Sequence, residues 1–325
     1  MNCLPRDDTK FKAGKSRPVV VNLVSVLLVL ILSLCSFESL AGSCGRPINV
    51  LEGKWAEHRK DEFIVQYANE GKHVLEADTA SANDGVPDVV ADAVTQLVAL
   101  REMLSLLGFR LPLDSPRYRE QGASHVLLRF RNLQRLNGRA FDEVRRLPTG
   151  ECVLIIEVTS RYRSGNLTPA HEYFHQVQNG YTPFKRPWFY EGSARWSETI
   201  LGKSVVAPQA PPEEDSDLQA LWTRSYSAVS VWYGLIRLCD RQPSVIDVPD
   251  HLRAYRYRDG RPVLLDLQVP GHGYIRQVLE SLETLGDQVT REQGLIRHRW
   301  PEKAQRDHRH DAAIWNTVRT TGKCS

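Results

Sequence analysis

Thr168-Pro169-Ala170-His171-Glu172-Tyr173-Phe174-His175, followed by Trp188-Phe189-Tyr190-Glu191-Gly192-Ser193-Ala194-Arg195-Trp196-Ser197-Glu198, decides how this chain is read. The first segment contains H-E-x-x-H. Two histidines four apart lie on one face of a helix, one turn above the other. Both imidazoles can then reach one ion at about 2.0–2.1 Å. Glu172 lies roughly 100° further round the same helix, within reach of a water beside that ion. Thr168 is expected to cap this helix, with Pro169 in its first turn and Asn179-Gly180 as its stop.

Two histidines leave a tetrahedral zinc site one protein ligand short if one position is kept open. A metzincin would need glycine at position 178 and histidine at position 181, where this chain has Gln178 and Tyr181. A gluzincin takes a glutamate from a following helix, and Trp188-x-x-Glu191-Gly192-x-Ala194 fits that pattern. The alternative for Glu191 is an ordinary i,i+4 surface pair with Arg195. Glu198, seven residues beyond Glu191 and on nearly the same face, is expected to hydrogen-bond a ligand histidine.

These residues carry a resemblance. H-E-Y-F-H-Q-V-Q-N-G-Y followed by W-F-Y-E-G-S-A-R-W-S-E is similar to the bacterial gluzincin (HExxH...E) zinc metalloproteases of the MXAN_6640 type. The likeness extends upstream to Asn83-Asp84-Gly85-Val86-Pro87-Asp88 and the helix after it, covering roughly residues 60 to 240. It implies an α+β, zincin-like, two-lobed fold: a small mixed sheet with the active-site helix, and a mainly helical second lobe. It implies an exported metallopeptidase that uses Zn2+ held by His171, His175 and Glu191. Glu172 would be its general base, and Tyr226 a candidate for stabilising the oxyanion. In the family the segment near Asp84 can bind calcium. Here Ala80 and Ala82 stand where oxygen ligands are expected, so a structural turn is the favoured reading.

Residues 1–41 read as a signal peptide. Arg6, Lys10, Lys12, Lys15 and Arg17 precede an apolar run from Val19 to Phe37, and Ser39-Leu40-Ala41 offers a cleavage site before Gly42. The expected product is periplasmic or secreted, without stable membrane insertion. An uncleaved N-terminal anchor is the alternative. Residues 42–180 are then the lobe carrying the HExxH helix, and 181–325 the helical lobe carrying the third ligand.

The formal charge is +3, and removing five basic and three acidic residues with the leader brings it near neutrality. That argues against nucleic acid as the main partner and leaves a peptide or protein substrate. Cys44, Cys152, Cys239 and Cys324 remain, enough for two disulfides in an oxidising compartment, with three possible connectivities. Their spacing fits neither a zinc finger nor a CxxC redox pair.

Phe63-Ile64-Val65-Gln66-Tyr67, His125–Arg131 and Cys152–Val158 read as strands, and residues 88–107 as an amphipathic helix closed by Gly108. Asn137-Gly138 reads as a turn. Residues 203–216 read as a polar loop, a candidate lid, and Leu218–Cys239 as helix. Asn166-Leu167-Thr168 matches a glycosylation sequon but lies too near the site for a glycan. His298, His308 and His310 read as solvated histidines rather than a second metal cluster. A non-catalytic, zinc-stabilised binding protein of the cell envelope is the alternative function. An intact Glu172 argues against it, since a purely structural site has no use for a base there.

Overall fold

The computed structural model describes residues 44–76, 84–202, 206–240, 246–265 and 267–322. The proposed leader, Cys324 and the residues just before Asp84 lie outside them. Gly42–Ser325 pack as one compact unit of mixed α and β structure. Its sheet is small and mixed. β1 (Trp55–Lys60), β2 (Phe63–Ala68), β3 (His125–Arg131), β4 (Gly138–Ala140), β5 (Arg145–Arg146) and β6 (Cys152–Thr159) form it in the order β1-β2-β3-β6-β4, with β5 also on β6. β2, β3 and β6 are mutually parallel, whereas β1, β4 and β5 pair antiparallel. β2 reaches β3 through α1 (Asp88–Leu106), the long crossover that a parallel pair requires.

The alternation in β2 divides its side chains between two cores rather than between core and solvent. Phe63 and Val65 align through Val126 and Leu128 with Leu154 and Ile156, facing the helices. Ile64, Leu127, Val153 and Ile155 face the other way, into a small cluster closed by Ile48 and Leu147, with Phe141 packed against it. Ile48 arrives on the segment after Cys44. That segment is held by a Cys44–Cys152 disulfide and by Ile48 N–H donating to the Arg146 carbonyl. Cys239 is disulfide-bonded as well.

α2 (Thr168–Tyr181) and α3 (Pro187–Leu201) cover the helix-facing side of the sheet. α4 (Asp215–Trp222), α5 (Val229–Cys239), α6 (His272–Glu292) and α7 (Asp311–Thr320) follow. One continuous core runs from Phe63 and Phe174 to Trp232, Leu282 and Val318, so the helical half packs directly on the sheet half. Among the described residues, no helix is long and apolar enough to cross a membrane.

Four local expectations are corrected. Thr168 does not cap α2 with its side chain. Instead, the Asn166 carboxamide oxygen accepts both the Thr168 N–H at 2.9 Å and its hydroxyl at 2.6 Å, which also ties up the sequon. α2 runs through Asn179-Gly180 to Tyr181 because its last carbonyls find buried donors. Arg117 Nη1 reaches the Asn179 carbonyl at 2.8 Å, and Ser115 Oγ reaches that of Gly180 at 2.7 Å. A Cβ on Gly180 would stand 3.1 Å from Ser115 Cβ, so the glycine serves close packing here. Asn137-Gly138 leads straight into β4 rather than turning, since Asn137 accepts from Thr159 N–H and Gly138 pairs with Val158. The expected helix from Leu218 to Cys239 breaks after Trp222 and resumes through a 3-10 turn at Tyr226–Ala228.

Candidate metal centre

α2 lies almost wholly inside the protein. Gln96, fully buried on α1, accepts the Ala170 N–H and donates to the Asn166 carbonyl, fixing the start of this helix. Tyr173, Phe174 and Val177 fill the core beneath it. The opposite face carries His171, Glu172 and His175, each no more than 6 % exposed. α3 is anchored at its start by Asp311, which accepts from Arg186 Nε and Trp188 Nε1. Its first turns then deliver Glu191 to the histidines. Glu191 Oε2 lies 3.1 Å from His171 Nε2 and 3.3 Å from His175 Nε2. Among the described residues this is the one group of histidine, cysteine and acidic side chains arranged to hold a metal ion, its ligand atoms all within 4.8 Å of one another.

The other edges of both imidazoles are already committed. His171 Nδ1 meets Glu198 Oε1 at 2.9 Å. His175 Nδ1 meets Gln178 Oε1 at 2.7 Å, and here the network fixes the tautomer. Ser193 donates its hydroxyl to the Phe189 carbonyl, so it accepts from Gln178 Nε2, which also donates to the Tyr190 carbonyl. Gln178 Oε1 is therefore an acceptor, and His175 must donate Nδ1–H to it. The lone pair on His175 Nε2 then points at a carboxylate oxygen. Acceptor facing acceptor at this distance calls for a cation between them, and two imidazole nitrogens with one carboxylate oxygen suit a metal ion.

The electrostatics are those of a buried pocket rich in carboxylates. Burial lowers the His171 pKa, but the Glu191 and Glu198 carboxylates outweigh it and raise the imidazole to about 9. Burial lowers His175 below the ordinary histidine value despite Glu191. Glu191 is itself held well below the usual carboxylate range, since the two histidines outweigh the effect of its burial. Glu172 is pushed up to about 8 by burial, with Glu191 and Glu198 adding to that, against His171 and the backbone N–H of Ala140. A cation at the triad would draw Glu172 back toward its ionised form.

Tyr226 is half-exposed, with its ring centroid 5.6 Å from that of His171, and it hydrogen-bonds to Glu191. Burial and the Glu191 and Glu172 carboxylates push its phenol up to about 12, so it keeps its proton at neutral pH. Its turn can approach because of Gly192, where a Cβ would stand 2.9 Å from both Ala228 and Trp232. On the other side, β4 presses on α2. A Cβ on Gly138 would come within 2.7 Å of Glu172 Oε1.

Arg195 lies 3.4 Å from Glu198 Oε2, leaving Glu191 to the histidines. Asp84 accepts from Val86 N–H and pairs with Arg258, as a structural turn would. His298 faces Glu120, His308 is exposed, and buried His310 bonds to the Ala304 carbonyl, so these three do not converge. The described part of the 203–216 loop lines a separate depression with Leu221, Arg224 and Val231. Gln178 and Gly138 escaped the sequence reading. Gln178 carries a signal, three residues after His175 on the same helical face; Gly138 carries none, since its role depends on a distant helix.

Comparisons with protein-family models, with curated proteins and with solved structures each return no match.

Proposed function

We propose that this chain is an exported zinc metallopeptidase with a gluzincin ligand set and a zincin-like, two-lobed architecture. In this reading the sheet, α1 and α2 form one lobe, and the helices beyond Tyr181 form the other. The observation that carries it is the convergence of His171 Nε2, His175 Nε2 and Glu191 Oε2, with the His175 tautomer fixed by the Gln178 chain. Two imidazoles and one carboxylate suit zinc, and the three protein ligands leave room for a fourth.

When bound, zinc supplies Lewis-acid polarisation of a carbonyl and makes water more acidic. The protein's own groups do the rest. Glu172, buried beside His171, takes the proton of the attacking water and hands it to the leaving amine. Tyr226 donates its phenolic hydrogen to the oxyanion that develops. Glu198 and Gln178 hold the imidazoles in register. β4 is the edge strand beside Glu172, and an extended peptide adds to it as a further strand. The Cys44–Cys152 disulfide supports a life in an oxidising compartment, in keeping with a leader removed before Gly42.

The test separates Glu172 from Glu191. Glu172→Gln keeps size but removes the base, so zinc stays near stoichiometric while hydrolysis falls by about 10²–10⁴-fold. Glu191→Gln replaces a charged ligand with a weak neutral one and loses zinc and activity together. Elemental analysis after dialysis is read beside a peptide-library digest. If the wild type holds zinc yet cuts nothing in the library, the non-catalytic binding protein becomes the better reading.

A further inference from the structure

His171, Glu172 and Glu198 line a cleft of about 670 Å³ whose walls include Arg135, Leu136, Gly138, Arg195 and Tyr226. Its charges are uneven. Glu172, Glu191 and Glu198 crowd the centre, where Arg195 pairs with Glu198 and a bound cation would offset the rest. Arg135 stands outside that balance. Its guanidinium is exposed and has no hydrogen bond or ion pair among the described residues. It is therefore the uncompensated charge on the cleft wall.

The backbone beneath Arg135 is braced. Gln134 takes a left-handed φ of 55° and donates its N–H to the Asn132 side chain at 2.9 Å. Arg161 donates to the Gln134 carbonyl, and Leu136 N–H bonds to the Leu133 carbonyl at 3.1 Å. A braced turn presents a side chain at lower entropic cost than a loose loop. Two residues separate Arg135 from Gly138, where a Cβ would stand 2.7 Å from Glu172 Oε1. Three Cα steps reach at most about 10 Å, up to three positions along an added strand. Leu136, 53 % exposed, sits beside it and gives the same end of the cleft an apolar face.

Building on the peptidase reading, we propose that the cleft selects extended peptides with an acidic side chain two to four positions from the scissile bond. Arg135 is the specificity-determining residue. Its carboxylate partner stays hydrated, so one such pair is worth only about a fivefold preference, and the preference falls as salt rises.

The test uses the zinc-loaded full chain and fluorescein-labelled decapeptides of Gly, Ala and Leu, with one Asp walked through the sequence. Asn isosteres serve as controls. Binding is read by fluorescence anisotropy, which needs no cleavage, and hydrolysis of the same peptides is read in parallel. Wild type should bind the best Asp peptide about fivefold more tightly than its Asn twin. Arg135→Gln should erase that preference and Arg135→Glu should invert it, both with unchanged zinc content and melting temperature. A wild type that binds both peptides equally, or binds neither, overturns the proposal, as does a preference that survives in Arg135→Glu. Cleavage without Asp preference in binding removes the acidic-peptide proposal and leaves the peptidase. An Arg135-dependent preference without any cleavage does the reverse.

Discussion

The two ends of α2 show how one helix divides chemistry from stability. Toward its start, His171 and Glu172 face an open cleft, and the groups holding the imidazoles of His171 and His175 are acceptors: Glu198 and the Gln178 oxygen. At its finish the polarity reverses. Arg117 donates to the Asn179 carbonyl, Ser115 and Arg110 donate to that of Gly180, and Tyr181 lies under the Arg110 guanidinium. Cations belong at a helix C-terminus, where the unpaired carbonyls concentrate negative potential. Arg117 is buried, however, and is balanced by Asp142, which also binds Lys185. The cleft end carries groups arranged for a cation to bind; the far end is neutralised within the chain.

The largest effect is expected at the far end. Asp142→Asn leaves Arg117 buried without its carboxylate and should cost about 3–5 kcal/mol in denaturant unfolding, with zinc affinity unchanged. A comparable loss of zinc affinity would mean that the two ends are not separable. At the cleft end, Glu198→Gln should weaken zinc binding about 10–100-fold in competition with a chelator, while shifting the unfolding midpoint little. A variant that unfolds early but keeps its affinity would assign Glu198 to the fold instead.

Acid sharpens the same comparison. Burial raises the Asp142 pKa, but Arg117 and Lys185 outweigh it and bring the carboxyl down to about 2. The stabilisation from a depressed carboxylate is full above its unfolded value, near 4. It is lost as pH falls through the folded value. About 2 kcal/mol should therefore disappear between roughly pH 4 and pH 2 in the wild type, and Asp142→Asn should flatten that part of the stability profile. The smallest effect concerns the helix start. Asn166→Ala should destabilise by about 1 kcal/mol and Thr168→Ala by less, since Asn166 supplies the accepting oxygen. Equal costs at the two positions would restore Thr168 as a cap.

The sequence exposed what is periodic and local. H-E-x-x-H places two histidines on one face by helix geometry alone, and the spacing from Glu191 to Glu198 puts both carboxylates on the face that meets them. The long helix before Gly108 and the strands at β2, β3 and β6 were legible for the same reason. What stayed hidden depends on partners distant in the chain. Asn179-Gly180 would end an isolated helix, yet Ser115 and Arg117, more than 60 residues earlier, carry this one past it. Asn137-Gly138 has the composition of a turn, yet Gly138 opens a strand because β6 lies beside it. The break after Trp222 brings the Tyr226 turn against α3, where Gly192 leaves room for it.

The disulfide has a practical consequence for anyone making this protein. The helix side of the sheet is sealed by much of the chain, but the small cluster behind it is closed by Ile48, Leu147 and Phe141. Ile48 belongs to a segment whose covalent hold is Cys44–Cys152. In a reducing cytoplasm that segment can lift away, baring Ile64, Leu127, Val153 and Ile155 to other nascent chains. Material recovered there should be prone to clumping and to trimming before residue 55, whatever the state of the His171, His175 and Glu191 group. Yield in an oxidising host and yield in a reducing one thus report on a strip of chain on the opposite face of the sheet from the candidate metal group.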